Sequence, residues 1–461
     1  MLGGCQAGGS IWKETISLEP KDKTVSEETL DPETDIDGQV ESEQVDGAEL
    51  GVEMQGQDES GKLESEPGEN DSNECSLLFA GDIYFSNHVL NAYDRVGGIG
   101  GVLGESLRET IAESDIFMAN LEFPFSDRGT QAADKQFTFR VSPSRMSILQ
   151  EIGPDIVTVA NNHALDYGTD ALLDTCDTLD SAGILHVGVG KNLEEAKQPQ
   201  IIEKNGKKIG FLGASRVFPT GGWAAGSSHP GMFSAYDTAS VVQEIQKVKE
   251  ECDYLVVYVH WGIERNTQPE AYQREMGHQY IDAGADLVVG SHPHVLQGIE
   301  LYHGKWILYS LGNFVFGSSI PETMLVQASV DAQGETALSI VPATSSAGYT
   351  RELDVGKKEA FYQKIQGLSD GVQIDENGKV QVAVKSIREI LPLKTPAFPQ
   401  CLGNVFKNAR LFPLHSGAIS NFFGPSPLIR WMTISGGSRR IHSISSSMYS
   451  SIEKTGKGAC S

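Results

Sequence analysis

"GADLVVGSHPHVLQG", residues 284–298, is an aliphatic run that ends abruptly in two histidines separated by one proline. An apolar run such as Leu287–Val289 between glycines predicts a buried strand, and open α/β sheets place ligands at the carboxyl ends of their strands. A lone histidine there is more often a hydrogen-bonded structural residue than a ligand. His292 and His294 together can direct two imidazoles at one point, which indicates a metal if further ligands lie nearby.

Composition divides the 461-residue chain into three parts. Residues 1–75 carry 4 Lys/Arg against 21 Asp/Glu and almost no aromatics, which predicts a disordered acidic linker because so little apolar surface can be buried. Residues 76–385 have the composition of a globular domain. From residue 386 aspartate is absent and Lys/Arg outnumber Glu nine to two without regular periodicity. Residues 386–461 are therefore either a basic, low-order interaction tail or a non-native extension, and we favour the second.

Charge and cysteine usage exclude several classes of protein. The formal net charge is −26 and no basic stripe interrupts residues 76–385, so we expect no nucleic-acid partner. The six cysteines lack CxxC spacing, which excludes a structural zinc site and a dense disulfide framework. No stretch approaches the roughly 18 apolar residues of a membrane-spanning helix.

The first residues resemble a bacterial lipobox. In Leu2–Cys5 small residues precede a cysteine, although the basic start and apolar core of a signal peptide are missing before it. The acidic stretch that follows would be a suitable spacer between a lipid and a surface domain. We expect the native protein to be an extracytoplasmic lipoprotein, anchored in the membrane through Cys5. The alternative is a chance Leu-Gly-Gly-Cys.

Short aliphatic runs alternate with amphipathic stretches from residue 76, which is typical of βαβ units. Strands are predicted in 76–85, which enters a loop, in 115–125, in 155–168, where the strand is followed by a polar loop, in 254–264 and in 284–298. Helices are predicted in 106–114, 169–183, 240–252 and 270–284. Hairpins are predicted in 201–215, turning at Asn205 and Gly206, and in 298–317 and 324–342. Parallel units followed by hairpins imply a mixed sheet, or two stacked sheets with helices outside.

Each apolar strand ends in a group that can bind a divalent metal or a phosphate. These groups are Asp82, Glu122, Asn162 with His163, His260, and the pair His292 and His294. Such a mixed oxygen and nitrogen set suits Mn, Fe or Zn, and two such ions promote hydrolysis. The shared position at strand ends favours one common site.

Taken singly, these polar residues have ordinary explanations. Asp82 can cap a turn, and Glu122 can pair with an arginine. Asn161 or Asn162 can form Asx turns, and we expect Asp166 to cap the following helix. The remaining histidines lack the placement at strand ends and are interpreted as structural: His88, His186, His229, His278 and His303.

Six separated motifs carry a family resemblance. "GD", "NLE", "ANNHALDYG", "HWGIE", "GSHPHVLQG" and "SLGNFVF", in this order, resemble the bacterial capsule-biosynthesis CapA family, which is linked to poly-γ-glutamate. The resemblance covers about residues 76–385. That family is similar to the calcineurin-like metallophosphoesterases. The resemblance therefore implies an α/β fold, a metallophosphoesterase-like four-layer αββα sandwich with mixed sheets, and a site for one or two divalent metal ions (Mn, Fe or Zn).

The resemblance also implies roles for individual residues. The implied metal ligands are Asp82, Glu122 as the bridging acid, Asn162, His260, His292 and His294. His163 and His260 are the implied catalytic residues, with His163 as general acid. Asn161, Glu264, Ser310 and Asn313 are assigned to shaping the pocket. One departure is Tyr84, which stands where metallophosphoesterases usually have a histidine, so one metal loses a nitrogen ligand.

Three functions are compatible with these features. The first is a metal-dependent hydrolase of a phosphoester or an amide-linked cell-envelope polymer. The second is an accessory subunit that binds polyglutamate without turnover, and the third is a structural surface protein with a vestigial site. The expected partners are poly-γ-glutamate or a related anionic envelope polymer, and the membrane subunits of a capsule synthase or exporter.

Overall fold

The structure, a computed structural model, describes residues 74–133 and 135–383. Within these residues the chain forms α-helices and β-strands numbered here in chain order. The helices are α1 (Asn87–Val96), α2 (Glu105–Glu113), α3 (Met146–Ile152), α4 (Thr169–Ala182), α5 (Leu193–Ala196), α6 (Thr238–Lys249), α7 (Ala271–Ala283) and α8 (Val355–Leu368). The strands are β1 (Cys75–Ile83), β2 (Ile116–Leu121), β3 (Ile156–Thr158), β4 (Leu185–Val187), β5 (Val189–Gly190), β6 (Gln200–Lys204), β7 (Lys207–Ser215), β8 (Gly231–Met232), β9 (Tyr254–His260), β10 (Leu287–Ser291), β11 (Ile299–Tyr302), β12 (Lys305–Leu308), β13 (Asn313–Val315), β14 (Ser319–Val330), β15 (Thr336–Ser346), β16 (Tyr349–Glu352), β17 (Val372–Ile374) and β18 (Lys379–Val382).

Local sequence signals placed many of these elements correctly. The four predicted helices appear as α2, α4, α6 and α7, with ends within three residues of the prediction. Asn205 and Gly206 join β6 to β7 with φ values of 51° and 74°, as a two-residue hairpin turn between antiparallel strands requires. Gly183 ends α4 in the left-handed conformation, which a residue without Cβ adopts at little cost.

Other predictions were incomplete or partly wrong. The strand expected in 155–168 is short, since β3 ends at Thr158 and the chain then turns through the site residues. The hairpin expected in 298–317 is confirmed only for β11 and β12, because β13 leaves that sheet and pairs in parallel with β1. Helices α1, α3, α5 and α8 were not predicted.

Two mixed sheets form the body of the protein. In the first, the order is β17-β18-β15-β14-β1-β2-β3-β4, with β13 beside β1 and β16 beside β15. Strands β1 to β4 are parallel there, whereas β14 runs antiparallel to β1. In the second, the order is β11-β12-β10-β9-β7-β6, with β7, β9, β10 and β12 parallel.

Alternate residues of each strand enter different layers. In β1, Phe79 packs between the two sheets with Val256 of β9, whereas Leu78 packs on the opposite face. In β9, Val257 likewise faces outward, in a cluster that includes residues of α6 and α7. Helices α2, α3 and α4 cover the outer face of the first sheet through residues such as Leu107. Because side chains alternate along a strand, each sheet has two apolar faces, and the expected four-layer αββα sandwich is confirmed.

The carboxyl ends of the parallel strands of both sheets meet at one edge of the sandwich. The Tyr258 hydroxyl in β9 donates to the carbonyl oxygen of Ala80 in β1 at 2.8 Å, which ties the sheets together next to this edge. Ser215, at the end of β7, lies opposite His260 in register, and His260 lies opposite Ser291 of β10. The fold therefore brings the polar strand ends of the sequence together.

Three sequence predictions concern parts of the chain outside the described residues. The acidic linker of residues 1–75, apart from its last two residues, the lipobox-like Cys5 and the tail of residues 386–461 all belong to those parts. Among the described helices, none combines the length and the apolar character needed to cross a membrane.

Candidate metal centre

Asp82 is the first acidic residue of the candidate site, and its position depends on two backbone segments that lie very close together. Asp82 lies near the end of β1, and its N–H donates to the carbonyl oxygen of Gly312 at 2.9 Å. A Cβ at the preceding Gly81 would lie 1.8 Å from that same oxygen, so only glycine fits there. The "GD" motif therefore has a structural reason: glycine admits the neighbouring chain, and aspartate follows it into the site.

Two carboxylates and three imidazoles converge from both sheets. The ligand atoms of Asp82, Glu122 and His294 lie within 4.8 Å of one another, and so do those of Glu122, His260 and His292. Oε1 of Glu122 lies 3.7 Å from Nε2 of His294 and 3.7 Å from Nε2 of His260. Glu122 is thus common to both groups, as a bridging acid must be. We call these five residues the metal-ligand cluster.

Several oxygen and nitrogen atoms of the cluster have no hydrogen-bond partner. Both carboxylate oxygens of Glu122, Oδ2 of Asp82 and Nδ1 of His292 are buried without a hydrogen-bond partner, although Oδ2 of Asp82 lies 3.3 Å from Nδ1 of His294. A buried polar atom without a partner costs about 1–3 kcal/mol, and an unpaired buried charge costs more. Carboxylate oxygens with imidazole nitrogens are the donor set that Mn, Fe and Zn accept, so the residues present fit a divalent metal ion.

The electrostatics of the cluster also favour a bound cation. Burial, reinforced by the neighbouring Asp82, raises the pKa of Glu122 well above its ordinary value. Burial opposes a charge on His294, but the carboxylates of Glu122 and Asp82 outweigh it and raise its pKa to about 10. Burial and nearby imidazoles hold the pKa values of His260 and His292 well below normal, so both rings are neutral and offer lone pairs.

The "SHPH" loop holds its two histidines in unusual backbone conformations. His292 has φ 100° and His294 has φ 57°, both in the region that residues other than glycine rarely adopt. The loop is fixed by hydrogen bonds from Trp261 N to Ser291 O, at 3.0 Å, and from Arg265 N to Pro293 O, at 2.8 Å. Such backbone strain is typical of functional sites, where the surrounding structure imposes it.

Asparagines support the ligands from behind. Asn120 was not predicted, yet its amide donates to Oδ1 of Asp82 at 2.8 Å. Asn161 in turn donates to Oδ1 of Asn120 at 3.0 Å and to the carbonyl of Leu121 at 2.7 Å. Asn313 accepts a hydrogen bond from Nδ1 of His294 at 2.7 Å. Asn120 lies opposite Asp82 in the register of β1 and β2, a relation that only the pairing of the strands reveals.

The other predicted pocket residues differ in their closeness to the cluster. Oδ1 of Asn162 lies 2.8 Å from Nε2 of His260, so this predicted ligand contacts the cluster through that histidine. Glu264 is exposed, and its carboxylate lies within 4.8 Å of ligand atoms of His292 and His294. Ser310 instead donates to the carbonyl of Val295 at 2.8 Å, so it shapes the loop and contributes no ligand atom.

Asp166 does not cap a helix, contrary to the prediction. Helix α4 begins after Gly168, and Oδ2 of Asp166 accepts hydrogen bonds from Nδ1 of His163 and from the N–H of Phe139, both at 2.6 Å. Lys135 forms an ion pair with Asp166 and donates to the carbonyl of Asn162 at 2.6 Å. Because these tertiary contacts hold the Asp166 carboxylate, it does not cap the first turn of α4.

His163 is held beside the cluster as a neutral imidazole. Burial lowers the pKa of His163 to about 4, despite the hydrogen bond to Asp166. Because Asp166 accepts from Nδ1, the free lone pair of the neutral ring is on Nε2. The imidazole also stacks on Phe139, with centroids 3.9 Å apart, which fixes the ring plane.

Tyr84 forms part of an aromatic wall at this edge. Its ring stacks on Phe139 with centroids 4.0 Å apart, and Phe139 in turn stacks on His163. Where the resemblance implied a missing histidine, the Tyr84 side chain supplies an aromatic contact. The histidines interpreted as structural take no part in the cluster; His278, for example, lies 2.8 Å from Oε1 of Glu300.

The sandwich with its cluster of carboxylates and imidazoles defines a protein of the α/β class with a candidate metal centre. Residues 76–318, more than half of the chain, match the model of the family described as "Bacterial capsule synthesis protein PGA_cap". The chain belongs to this family, and the resemblance inferred from the sequence motifs is confirmed.

Two curated relatives agree with this assignment. The chain is 33% identical over 272 residues to "PGA biosynthesis protein CapA" of Bacillus subtilis (strain 168), covering 58% of this chain and 70% of that protein. It is 29% identical over 313 residues to "Capsule biosynthesis protein CapA" of Bacillus anthracis, covering 65% and 75%. Among solved structures, the 5'-nucleotidase of Candida albicans SC5314 aligns at 12% identity over 58% of this chain and 52% of that one, with a TM-score of 0.35. The fold assignment rests on the sheets and layers instead.

Proposed function

We propose that the protein is a metal-dependent hydrolase of the cell surface, which acts on poly-γ-glutamate or a related anionic envelope polymer during capsule biosynthesis. The observation that carries this proposal is the state of Glu122. Its carboxylate is fully buried, both oxygens lack a hydrogen-bond partner, and it lies between His260 and His294. Such a group is expensive to bury unless a cation neutralises it.

The metal-ligand cluster would hold the ion. Asp82, Glu122 and His294 form one group of donors, and Glu122 with His260 and His292 forms the other. This arrangement is consistent with one or two ions of Mn, Fe or Zn. A divalent ion bound there polarises a substrate carbonyl or phosphoryl oxygen and lowers the pKa of a water.

His163 is the proposed proton-transfer residue. Its pKa of about 4 means that the imidazole is neutral at pH 7, so Nε2 must first accept a proton before the ring can act as general acid. Asp166 supports both steps, because it fixes the tautomer and stabilises the imidazolium once formed. His260 is proposed to act through the metal-ligand cluster, next to Asn162.

A non-catalytic accessory subunit is the second candidate. The observation that favours it is Tyr84, which stacks on Phe139 at the position where a histidine would complete a second metal site. In this form the same pocket would bind the polymer without cleaving it. Both candidates would work with the membrane subunits of a capsule synthase or exporter, and both are proposed to be anchored through Cys5.

The first experiment measures bound metal. Purified protein is expected to retain Mn, Fe or Zn in elemental analysis, and Asp82→Ala combined with His292→Ala is expected to abolish this. His278→Ala is the matched control, because its imidazole lies outside the cluster and pairs with Glu300. If the wild type, refolded with excess metal, retains none above the double variant, the proposed site is wrong.

The second experiment separates the two candidates. A hydrolase releases product from poly-γ-glutamate or from an aryl phosphodiester only when metal is present, whereas an accessory protein binds the polymer and releases nothing. His163→Ala and His260→Ala are each expected to reduce turnover by about 10²-fold or more. Turnover that survives both changes removes these residues from the catalytic role.

A further inference from the structure

Arg216 lies beside the metal-ligand cluster on the side of the second sheet. It follows the last residue of β7, and its backbone N–H donates to the carbonyl oxygen of His260 at 2.8 Å. Its guanidinium carbon lies 3.6 Å from the ring centroid of Tyr236 and 5.2 Å from that of Tyr272. Within residues 74–133 and 135–383 no carboxylate forms an ion pair with it. The guanidinium is therefore held by aromatic faces alone.

Arg140 is also stacked on a tyrosine, and it belongs to the segment that contacts His163. Its guanidinium carbon lies 4.0 Å from the ring centroid of Tyr167, and no carboxylate in the described part of the chain pairs with it. The preceding residue, Phe139, stacks on His163, and Tyr167 directly follows Asp166. Arg140 is thus attached to the segment that holds the proposed proton-transfer residue.

Four other arginines of the described residues pair with carboxylates, namely Arg128, Arg145, Arg274 and Arg351, whereas Arg95, Arg108 and Arg265 form no such ion pair. Arg145 makes two hydrogen bonds to Asp94, at 2.6 and 2.7 Å, and Arg128 pairs with Asp174. The chain offers 62 Asp and Glu residues against 36 Lys and Arg, so partners are plentiful. Within residues 74–133 and 135–383, Arg140 and Arg216 are the arginines that combine a tyrosine face with a charge not paired to a carboxylate, near a site proposed to bind an anionic polymer.

A guanidinium that is stacked on an aromatic ring is preorganised to bind a carboxylate. The aromatic ring covers one face of the planar group, so the N–H donors point outward in the plane. A carboxylate can then accept two parallel hydrogen bonds from this fork. Because the ring already restricts the side chain, less conformational entropy is lost on binding than for a free arginine.

We propose that Arg140 and Arg216 form a carboxylate-binding subsite, in which each arginine holds a side-chain carboxylate of the substrate on one side of the metal-ligand cluster. The polar strand ends of the two sheets meet at this site, since Oδ1 of Asn162 lies 2.8 Å from Nε2 of His260. A polymer with a carboxylate on every residue reaches both arginines while its backbone passes over the cluster. This inference rests on the proposed function, because it specifies how the polymer of that proposal is held.

The test measures binding to the full-length chain after metal removal with a chelator, so that only protein groups contribute. The probe is a γ-glutamate oligomer of defined length, titrated at fixed ionic strength. We expect Arg140→Ala and Arg216→Ala each to weaken binding by about tenfold or more, and the double variant to weaken it further. Arg145→Ala, which removes an arginine paired with Asp94, is the matched control and is expected to bind like the wild type.

Two further sets of measurements distinguish direct carboxylate binding from indirect effects of the substitutions. Arg140→Lys and Arg216→Lys keep the charge and the long side chain but lose the planar fork, so they should also bind weakly if the bidentate contact matters. Polyphosphate of equal charge tests the chemistry, because a carboxylate subsite is expected to prefer the glutamate oligomer. Wild-type affinity in the arginine variants, or equal loss in the control, overturns the inference. Equal binding of polyphosphate overturns its carboxylate specificity.

Failure of this inference is distinguishable from failure of the proposed function. If the oligomer binds, depends on both arginines, and is never cleaved with metal present, the hydrolase proposal fails and the subsite stands. If metal-dependent cleavage occurs with unchanged affinity in the arginine variants, the hydrolase stands and the subsite fails. If the wild type binds no oligomer with or without metal, both fail.

Discussion

Replacing Glu122 by glutamine is expected to change stability in opposite directions with and without metal. In the metal-free protein the carboxyl group is fully buried and neither oxygen has a hydrogen-bond partner, at a cost of about 1–3 kcal/mol that the His294 imidazole, 3.7 Å from Oε1, offsets only in part. The neutral amide of Glu122→Gln removes the charge and keeps the shape. We therefore expect the metal-free variant to be more stable than the wild type by about 1–2 kcal/mol, which corresponds to a rise in Tm of about 2–6 °C.

With bound metal we expect the wild type to be more stable than Glu122→Gln. An ion that binds the folded wild type at about 100 times its Kd stabilises it by about 2.7 kcal/mol. Glu122→Gln loses the ligand shared by both donor groups, so its Tm is expected to change little on adding Mn. The measurement is a thermal melt of both proteins, with chelator and with excess Mn, at pH 7.

The stability difference between Glu122→Gln and the wild type without metal is also expected to depend on pH. Burial raises the folded-state pKa of Glu122 well above its ordinary value, so metal-free stability is lost as the pH rises from that ordinary value toward the folded pKa. The advantage of Glu122→Gln without metal should therefore be larger at pH 7 than at pH 4.5.

Glu244 provides the control for these melts. It is also a buried glutamate, but it pairs with Lys247 and Lys197 outside the cluster. Glu244→Gln should destabilise the protein slightly and leave the response to Mn intact. The reasoning is refuted if Glu122→Gln is stabilised by Mn as strongly as the wild type, or if it is the less stable protein without metal.

Two further predictions concern other parts of the chain. Burial alone would raise the pKa of Glu300, but hydrogen bonds from Tyr309 and His278 lower it, so its stabilising effect is present above its unfolded pKa and is lost as the pH falls through the lower folded pKa. Glu300→Gln should therefore cost about 1–2 kcal/mol in urea melts at pH 7, with a difference that disappears in acid; an equal difference at both pH values would contradict this. Mass spectrometry of protein from its native host should find an acylated Cys5 at the amino terminus, whereas an unmodified Met1 on protein from the soluble fraction would contradict the anchor.

The sequence alone determined many of the strands, four of the helices and the set of candidate ligands. These predictions succeeded because they depend on neighbouring residues: Asn205–Gly206 has the composition of a tight hairpin turn, and Gly183 that of a helix end. The convergence of the candidate ligands was also predictable, because the carboxyl ends of parallel strands meet at one edge whatever the details of packing. Asp82 and His292 could thus be assigned to one site from strands far apart in the chain.

Only the tertiary structure decided how these residues are supported and paired. Asp166 holds His163 instead of capping α4, since Lys135 and Phe139 approach it from a distant loop. That Asn120 lies next to Asp82 follows only from the register of β2 with β1. The unpaired charge of Arg216 likewise depends on tyrosines brought in from other elements. Hydrogen bonds and ion pairs depend on distances between side chains that are remote in sequence, and no local periodicity encodes those distances.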